Sequence, residues 1–254
     1  MSSEVETSLT FFFLTVRDSS ASLGMKKTAD KIIVALDVPG RKAALDLLRQ
    51  LGEDISFFKV GLQLYTAEGP AIVREVLASG ARVFLDLKLH DIPNTVAATV
   101  ESAAELGVEM LTVHLGGGEA MVRAATNAGK DKLSILGVTV LTSSDDETLH
   151  RIGIKSGVPE QVLRLAKLGQ NAGVDGFVAS AQEVTMLRRQ FGTEMKIVVP
   201  GIRPPWSEAS DQKRFMTPRQ AIDAGADYLV IGRPITAHSN PREAIMKILE
   251  ELRD

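Results

Sequence analysis

Gly107-Val-Glu-Met-Leu-Thr-Val113 has two near copies further along the chain, Gly173-Val-Asp-Gly-Phe-Val178 and Gly225-Ala-Asp-Tyr-Leu-Val230. Each joins three signals. A glycine closes a helix where positive φ is needed. A short acidic connection follows, and then an apolar run with the character of a buried strand. Gly80-Ala-Arg-Val-Phe-Leu85 repeats the design without the acid. Working outward, strand-like runs appear at Ile32–Val38, Phe57–Leu62, Arg82–Leu89, Met110–Leu115, Ser134–Leu141, Gly176–Ser180, Lys196–Ile202 and Tyr228–Ile235. Between them lie segments of helical periodicity, such as Ala43-Leu47-Leu48-Leu51 and Val162-Leu165-Ala166-Leu168. Strands alternating with helices predict an α/β fold with a parallel sheet. Eight such units favour a closed (β/α)8 TIM barrel over an open Rossmann sheet. No Gly-x-Gly-x-x-Gly follows the first strand, and Asp37-Val-Pro-Gly40 is no substitute for it.

The bulk properties agree with one large domain. The chain has 254 residues, 44% of them hydrophobic and 24% charged, with a formal net charge of −3. No basic cluster points to nucleic acid. The absence of cysteine excludes disulfides, thiolate metal sites and cysteine nucleophiles, and fits a reducing, cytoplasmic compartment. The first 24 residues differ from the rest. Leu9 to Val16 is mostly apolar around Phe11-Phe12-Phe13, but falls short of the ~20 residues a spanning helix needs. Glu4 and Glu6 precede it where a signal peptide carries basic residues. Residues 1–24 therefore read as a poorly ordered extension before Met25, and residues 25–254 as the barrel domain. The alternative for the extension is a short element docked on the barrel or on a partner.

Asp86-Leu-Lys-Leu-His-Asp91 carries the chemistry. It continues the apolar run Val83-Phe84-Leu85. Alternation along a strand puts Phe84, Asp86, Lys88 and His90 on one face and the leucines on the other. Ionic groups on the first face are costly to bury unpaired. Lys88 lies two residues from Asp86 and three from Asp91, and nearby negative charge favours its ammonium form. A lysine that attacks a carbonyl needs the opposite, a depressed pKa. Lys88 thus reads as a cation and proton donor. A merely solvated strand end is the bland alternative, and the long apolar flanks weigh against it. Ile92-Pro93 stops the strand, and Asn94-Thr95 begins a helix.

A barrel carries its active site at the C-terminal ends of its strands. Those ends supply Asp37, Lys59, the group Asp86, Lys88 and Asp91, then His114 and Thr142. Strands seven and eight run into Pro200-Gly-Ile-Arg203-Pro204 and Gly232-Arg233-Pro234, where barrels often hold phosphate. Glycine lets backbone N–H groups approach, and arginine can bind two phosphate oxygens at once. Pro204 to Met216 is long and polar and reads as a lid, with Arg203 at its base and Gln212 within it. Ser143-Ser144-Asp145-Asp146 reads as a helix cap. His114 is either a metal ligand with Asp86 or, the better reading, a hydrogen-bonded histidine in the barrel mouth, with His90 similar. His150 and His238 read as surface residues. Trp206 is either a packing anchor or a ligand contact.

These residues resemble the orotidine 5′-phosphate decarboxylase family from Lys31 to the C-terminus. The most specific element is Asp86-Leu-Lys-Leu-His-Asp-Ile-Pro-Asn-Thr95. Ala35-Leu-Asp37, Lys59-Val-Gly61, Val138-Thr-Val-Leu-Thr142, Pro200-Gly-Ile-Arg203 followed by Gln212, and Ile231-Gly-Arg233 support it. Residues 1–24 do not match. The resemblance implies a cofactor-free, metal-free decarboxylation of orotidine 5′-phosphate to UMP. It implies that Lys59, Asp86, Lys88 and Asp91 form an ionic array at C6 of the pyrimidine, with Asp86 against the substrate carboxylate and Lys88 protonating C6. Asp37 and Lys59 would hold ribose hydroxyls, Thr142 and Gln212 the base, and Arg203, Gly232 and Arg233 the phosphate. Asp91, Ile92 and Thr95 would reach the neighbouring subunit's site in an obligate homodimer. Two rivals stand beside this. Hexulose-phosphate synthases and keto-gulonate-phosphate decarboxylases share Asp-x-Lys-x-x-Asp but use Mg²⁺, with a glutamate ligand where this chain has Lys59. The other is a non-catalytic nucleotide-binding barrel, which would be expected to lack a member of the array.

Overall fold

The computed structural model describes residues 26–207 and 216–253. Eight strands, β1 (Ile32–Ala35), β2 (Phe57–Gly61), β3 (Arg82–Leu89), β4 (Met110–His114), β5 (Ser134–Val138), β6 (Gly176–Val178), β7 (Lys196–Pro200) and β8 (Tyr228–Ile231), follow one another in space in chain order. Every neighbouring pair is parallel, and β8 closes on β1. The predicted (β/α)8 barrel is the fold observed.

Each strand begins at the residue the sequence predicts, but most end sooner. The pattern places Val38, Leu141 and Ile235 in strands; β1 stops at Ala35, β5 at Val138 and β8 at Ile231. Hydropathy reports burial, and burial outlasts the ladder. Leu36 is fully buried beyond the end of β1, and Ile235 is buried inside a short helix.

Helices surround the barrel: α1 (Arg41–Leu51), α2 (Leu62–Glu68), α3 (Pro70–Ala78), α4 (Pro93–Leu106), α5 (Glu119–Gly129), α6 (Asp146–Arg151), α7 (Val158–Ala172), α8 (Val184–Phe191), α9 (Pro218–Asp223), α10 (Arg233–Thr236) and α11 (Pro241–Glu251). Strand periodicity divides the core in two. Ile33, Ala35, Phe57, Phe84, Met110 and Leu136 point inward and fill the barrel. Ile32, Val34, Phe58, Val60 and their counterparts point outward and pack under the helices.

The repeated unit has a clear physical basis. Gly107, Gly173 and Gly225 have φ of 85°, 90° and 108°, which glycine adopts without steric cost. The acid that follows reaches back to the preceding strand. Asp175 Oδ2 accepts the Ile135 N–H at 2.8 Å, and Asp227 Oδ2 accepts the Ile197 N–H at 2.7 Å. Glu109 instead binds Arg82 through two hydrogen bonds of 2.6 and 2.5 Å. Asp227 also pairs with Arg188 of α8. These contacts lie at the N-terminal rim, opposite the charged strand ends. The helix cap read at Asp145 is present: its side chain accepts the Thr148 N–H at 3.0 Å.

Candidate active site

The charged group gathers at the C-terminal mouth. Lys59 and Asp86 point inward from β2 and β3, and the registers put Gly61 beside Asp86. Lys59 Nζ donates to Asp37 Oδ1 at 2.8 Å and lies 3.5 Å from Asp86 Oδ2. Lys88 Nζ donates to the other Asp86 oxygen at 2.8 Å. Asp37, Lys59, Asp86 and Lys88 therefore form a chain of alternating sign. Its centre is dry and its ends are wet: the side chains of Lys59 and Asp86 are 8% and 12% exposed, those of Asp37 and Lys88 52% and 28%.

Burial alone pushes the Asp86 carboxyl up. The ammonium groups of Lys59 and Lys88, with hydrogen bonds from Lys88 and Thr112, overcome this and hold it below the usual carboxylate range. Asp86 is thus an ionised carboxylate that is nearly buried. Gly61 makes room for the array. A Cβ there would sit 2.7 Å from Lys59 Nζ and 2.9 Å from Asp37 Oδ1.

Strict alternation fails at Lys88. Its φ is +50°, unusual for a residue with a Cβ. The β3–β4 register passes from Leu85 against Leu111 to Leu89 against Val113, so β3 bulges there. The Lys88 N–H goes to the Thr112 hydroxyl at 2.8 Å. That hydroxyl donates in turn to Asp86 Oδ1 at 3.0 Å. Thr112 is fully buried, and reading only the strand ends missed it. The signal was present, because Thr112 stands two residues before His114 on the same inward face.

Of the two carboxylates expected around Lys88, one touches it. Asp91 is exposed, and its Oδ1 accepts the Ile92 N–H at 2.7 Å. β3 ends at Leu89, and Asp91 lies in the exposed turn between it and α4. Ile92 is 66% exposed, and Thr95 is exposed on the first turn of α4.

Arg203 and Arg233 meet across one cleft of about 460 Å³, with Trp206 and His238 also on its wall. Arg203 is buried; its Nη1 donates to the Ile202 carbonyl at 3.0 Å. Its backbone N–H donates to the Met216 carbonyl at 3.0 Å and closes the base of the expected lid. Gly232 precedes α10, and a Cβ there would sit 4.0 Å from Asp37 Oδ2, so the cleft adjoins the array. Thr142 is half-buried in the turn after Leu141. Gln212 and residues 1–24 lie outside the described residues. Trp206 is 40% exposed, edge-on to His238 at 5.7 Å and under Lys247 at 5.8 Å.

His114 is half-buried and its ring lies 5.6 Å from that of His90. Burial, then the neighbouring His90 and Lys88, lower its pKa against the pull of Asp86, so the imidazole is neutral near pH 7. Among the described residues no cluster of three or more His, Asp or Glu side chains could hold a metal ion. No described helix is long and apolar enough to cross a membrane. A larger cleft of about 740 Å³, between Ser144–Glu147 and Gln182–Met186, contains none of the array.

The model of the "Orotidine 5'-phosphate decarboxylase / HUMPS family" matches residues 30–248. The orotidine 5′-phosphate decarboxylase of Pseudoalteromonas translucida is 52% identical over 215 residues, 83% of this chain and 92% of that one. That of a Geobacter species is 50% identical over 229 residues, covering 87% and 95%. The crystal structure of orotidine 5′-phosphate decarboxylase from Lactobacillus acidophilus superposes with a TM-score of 0.78 at 36% identity, covering 89% of this chain and all of that one. The charged mouth, the barrel and these relatives agree: the chain belongs to the orotidine 5′-phosphate decarboxylase family, and it is a carboxy-lyase that converts orotidine 5′-phosphate to UMP in pyrimidine biosynthesis.

Proposed function

We propose that the reaction runs on fixed charge alone, with Lys88 as the proton donor and no cofactor or metal. The observation that carries this is the buried Asp86 carboxylate, held ionised between Lys59 and Lys88. A substrate carboxylate seated against Asp86 is repelled in the ground state. As the C6–CO₂ bond breaks, its electron pair stays on C6. The preorganised ammonium of Lys88 stabilises that charge and delivers its proton to C6, and the resulting amine regains a proton from water.

The remaining contacts divide the substrate. Asp37 and Lys59 hold the ribose hydroxyls, Thr142 and Gln212 the pyrimidine, and Arg203, Gly232 and Arg233 the phosphate. Binding energy from the phosphate closes the lid and orders the array. Asp91, Ile92 and Thr95 serve the site of a second subunit, in a cytoplasmic homodimer with shared sites. Their exposure, and the absence of an ion pair between Asp91 and Lys88, support this. Residues 25–254 form the catalytic domain, and residues 1–24 are not needed for turnover.

The competing Mg²⁺-dependent lyase reading needs a metal-ligating glutamate at the position of Lys59, whose own positive charge would repel Mg²⁺. Lys59 Nζ already lies within 2.8 and 3.5 Å of the Asp37 and Asp86 carboxylates. The test follows the absorbance of orotidine 5′-phosphate with purified protein. Full activity is expected in excess EDTA, and Lys88→Ala is expected to lose more than the ~10²–10⁴ typical of a general acid. Activity that vanishes with EDTA and returns with Mg²⁺ favours the competing reading. A Lys88→Ala enzyme with over about a tenth of wild-type turnover removes the proton-donor role.

A further inference from the structure

We infer that Thr112 is a positioning residue, whose single hydroxyl ties the backbone of Lys88 to the carboxylate of Asp86 and so sets the direction of the catalytic ammonium. The inference rests on the roles proposed above for Lys88 and Asp86.

Lys88 stands on the β3 bulge, between the Leu85–Leu111 and Leu89–Val113 pairings. Its backbone N–H donates to a side chain of β4, Thr112 Oγ1, at 2.8 Å. A part-buried N–H without a partner is costly, so the hydroxyl stabilises a bulge that also carries a positive φ. The same hydroxyl has one proton, and it points to Asp86 Oδ1 at 3.0 Å. Oδ1 also accepts from Lys88 Nζ at 2.8 Å. Backbone N–H, hydroxyl, carboxylate and ammonium therefore close a ring through Lys88 at both ends. The ring fixes the carboxylate plane and, through it, the position of Nζ.

Thr112 lies in the fully buried layer just below the mouth. It bonds to the Lys88 backbone and to the Asp86 carboxylate without carrying a charge itself. Valine matches its shape and can neither donate nor accept. Serine can do both.

The experiment compares Thr112→Val and Thr112→Ser by single-turnover decay of orotidine 5′-phosphate absorbance, with enzyme in excess and active sites counted by UMP binding. Thr112→Val is expected to lower the rate per site by ~10–100-fold, the range for a hydrogen bond to a charged group. KM is expected to stay within about threefold, because the ring orients the reacting group more than it binds the substrate. Thr112→Ser is expected to keep at least about half the rate. If the valine variant does not fold, Thr112→Ala is read in its place. A rate per site within about twofold of wild type for the hydroxyl-free variant, or an equal loss in Thr112→Ser, overturns the inference. Lys88→Ala is run alongside. If that variant stays active, the underlying reading fails; if it is dead while Thr112→Val is unimpaired, only the role of Thr112 fails.

Discussion

Gly61→Ala adds one methyl group at the centre of the array. The backbone tolerates it, since Gly61 has φ −99° and ψ 179°. The space does not. The new carbon would lie 2.7 Å from Lys59 Nζ and 2.9 Å from Asp37 Oδ1, the two ends of a 2.8 Å hydrogen bond. Ordinary contact begins near ~3.5 Å, so each atom must withdraw by more than about half an ångström. Asp37 is half exposed, and its pairing with Lys59 contributes little to folding, of order ~1 kcal/mol at most. Lys59 also faces Asp86, so its displacement misplaces the buried part of the array. A shift of ~1 Å in a reacting constellation costs about 10²-fold, and a smaller one about tenfold, or ~1.4–2.7 kcal/mol of transition-state stabilisation. The expected result is a kcat/KM lowered ~10–100-fold with a melting temperature within a few degrees of wild type. Both are measurable on one preparation, by substrate absorbance and by calorimetry. Wild-type kcat/KM at unchanged stability would refute the claim that residue 61 is kept small for the ion pair. A large loss of stability would mean that the methyl meets something more rigid than two side-chain ends.

Three further outcomes are expected. Arg233→Ala weakens turnover of orotidine 5′-phosphate and leaves orotidine itself little changed, because the nucleoside has no phosphate to lose; equal losses for both substrates would make Arg233 structural. Mixing inactive Lys88→Ala and Asp91→Ala chains restores roughly a quarter of wild-type activity in a dimer with shared sites, since about half the dimers are mixed and each has one intact site; no recovery despite demonstrated subunit exchange would put Asp91 in its own chain's site. His114 has a lowered pKa, so the unfolded chain takes up the proton at higher pH than the folded one. Its contribution to stability is therefore full above the ordinary, unfolded value of 6.5 and declines as pH falls toward the folded value. Urea titrations from pH 8 to about 5 are expected to show a shallower loss for His114→Gln than for wild type.

Much of this was legible in the order of residue types. Glycine, acid and apolar run located the strand starts, because each reflects a backbone requirement that local sequence can meet. Strand ends were less legible, since Leu36 and Ile235 are as buried off the sheet as on it. The ion pairs of Asp37, Lys59, Asp86 and Lys88 follow from reading only the C-terminal ends of a barrel. The bulge at Lys88 did not. No glycine marks it, and it is held by Thr112, remote in sequence. The exposure of Asp91 was likewise hidden, because spacing of three residues says nothing of where a chain turns. Lid and extension depend on residues 208–215 and 1–24, outside the described part of the molecule.

The acids at the feet of the strands have a consequence for how such a molecule can change over generations. Asp175 and Asp227 hold neighbouring strands at one rim, and Lys59, Asp86 and Lys88 gather at the other. Inheritance can act on the two rims separately. Codons at the mouth can be replaced, and the reaction altered, while the clamps that close the cylinder stay untouched. One scaffold can in this way pass from one metabolic task to another by a handful of substitutions, each made on a barrel that still folds.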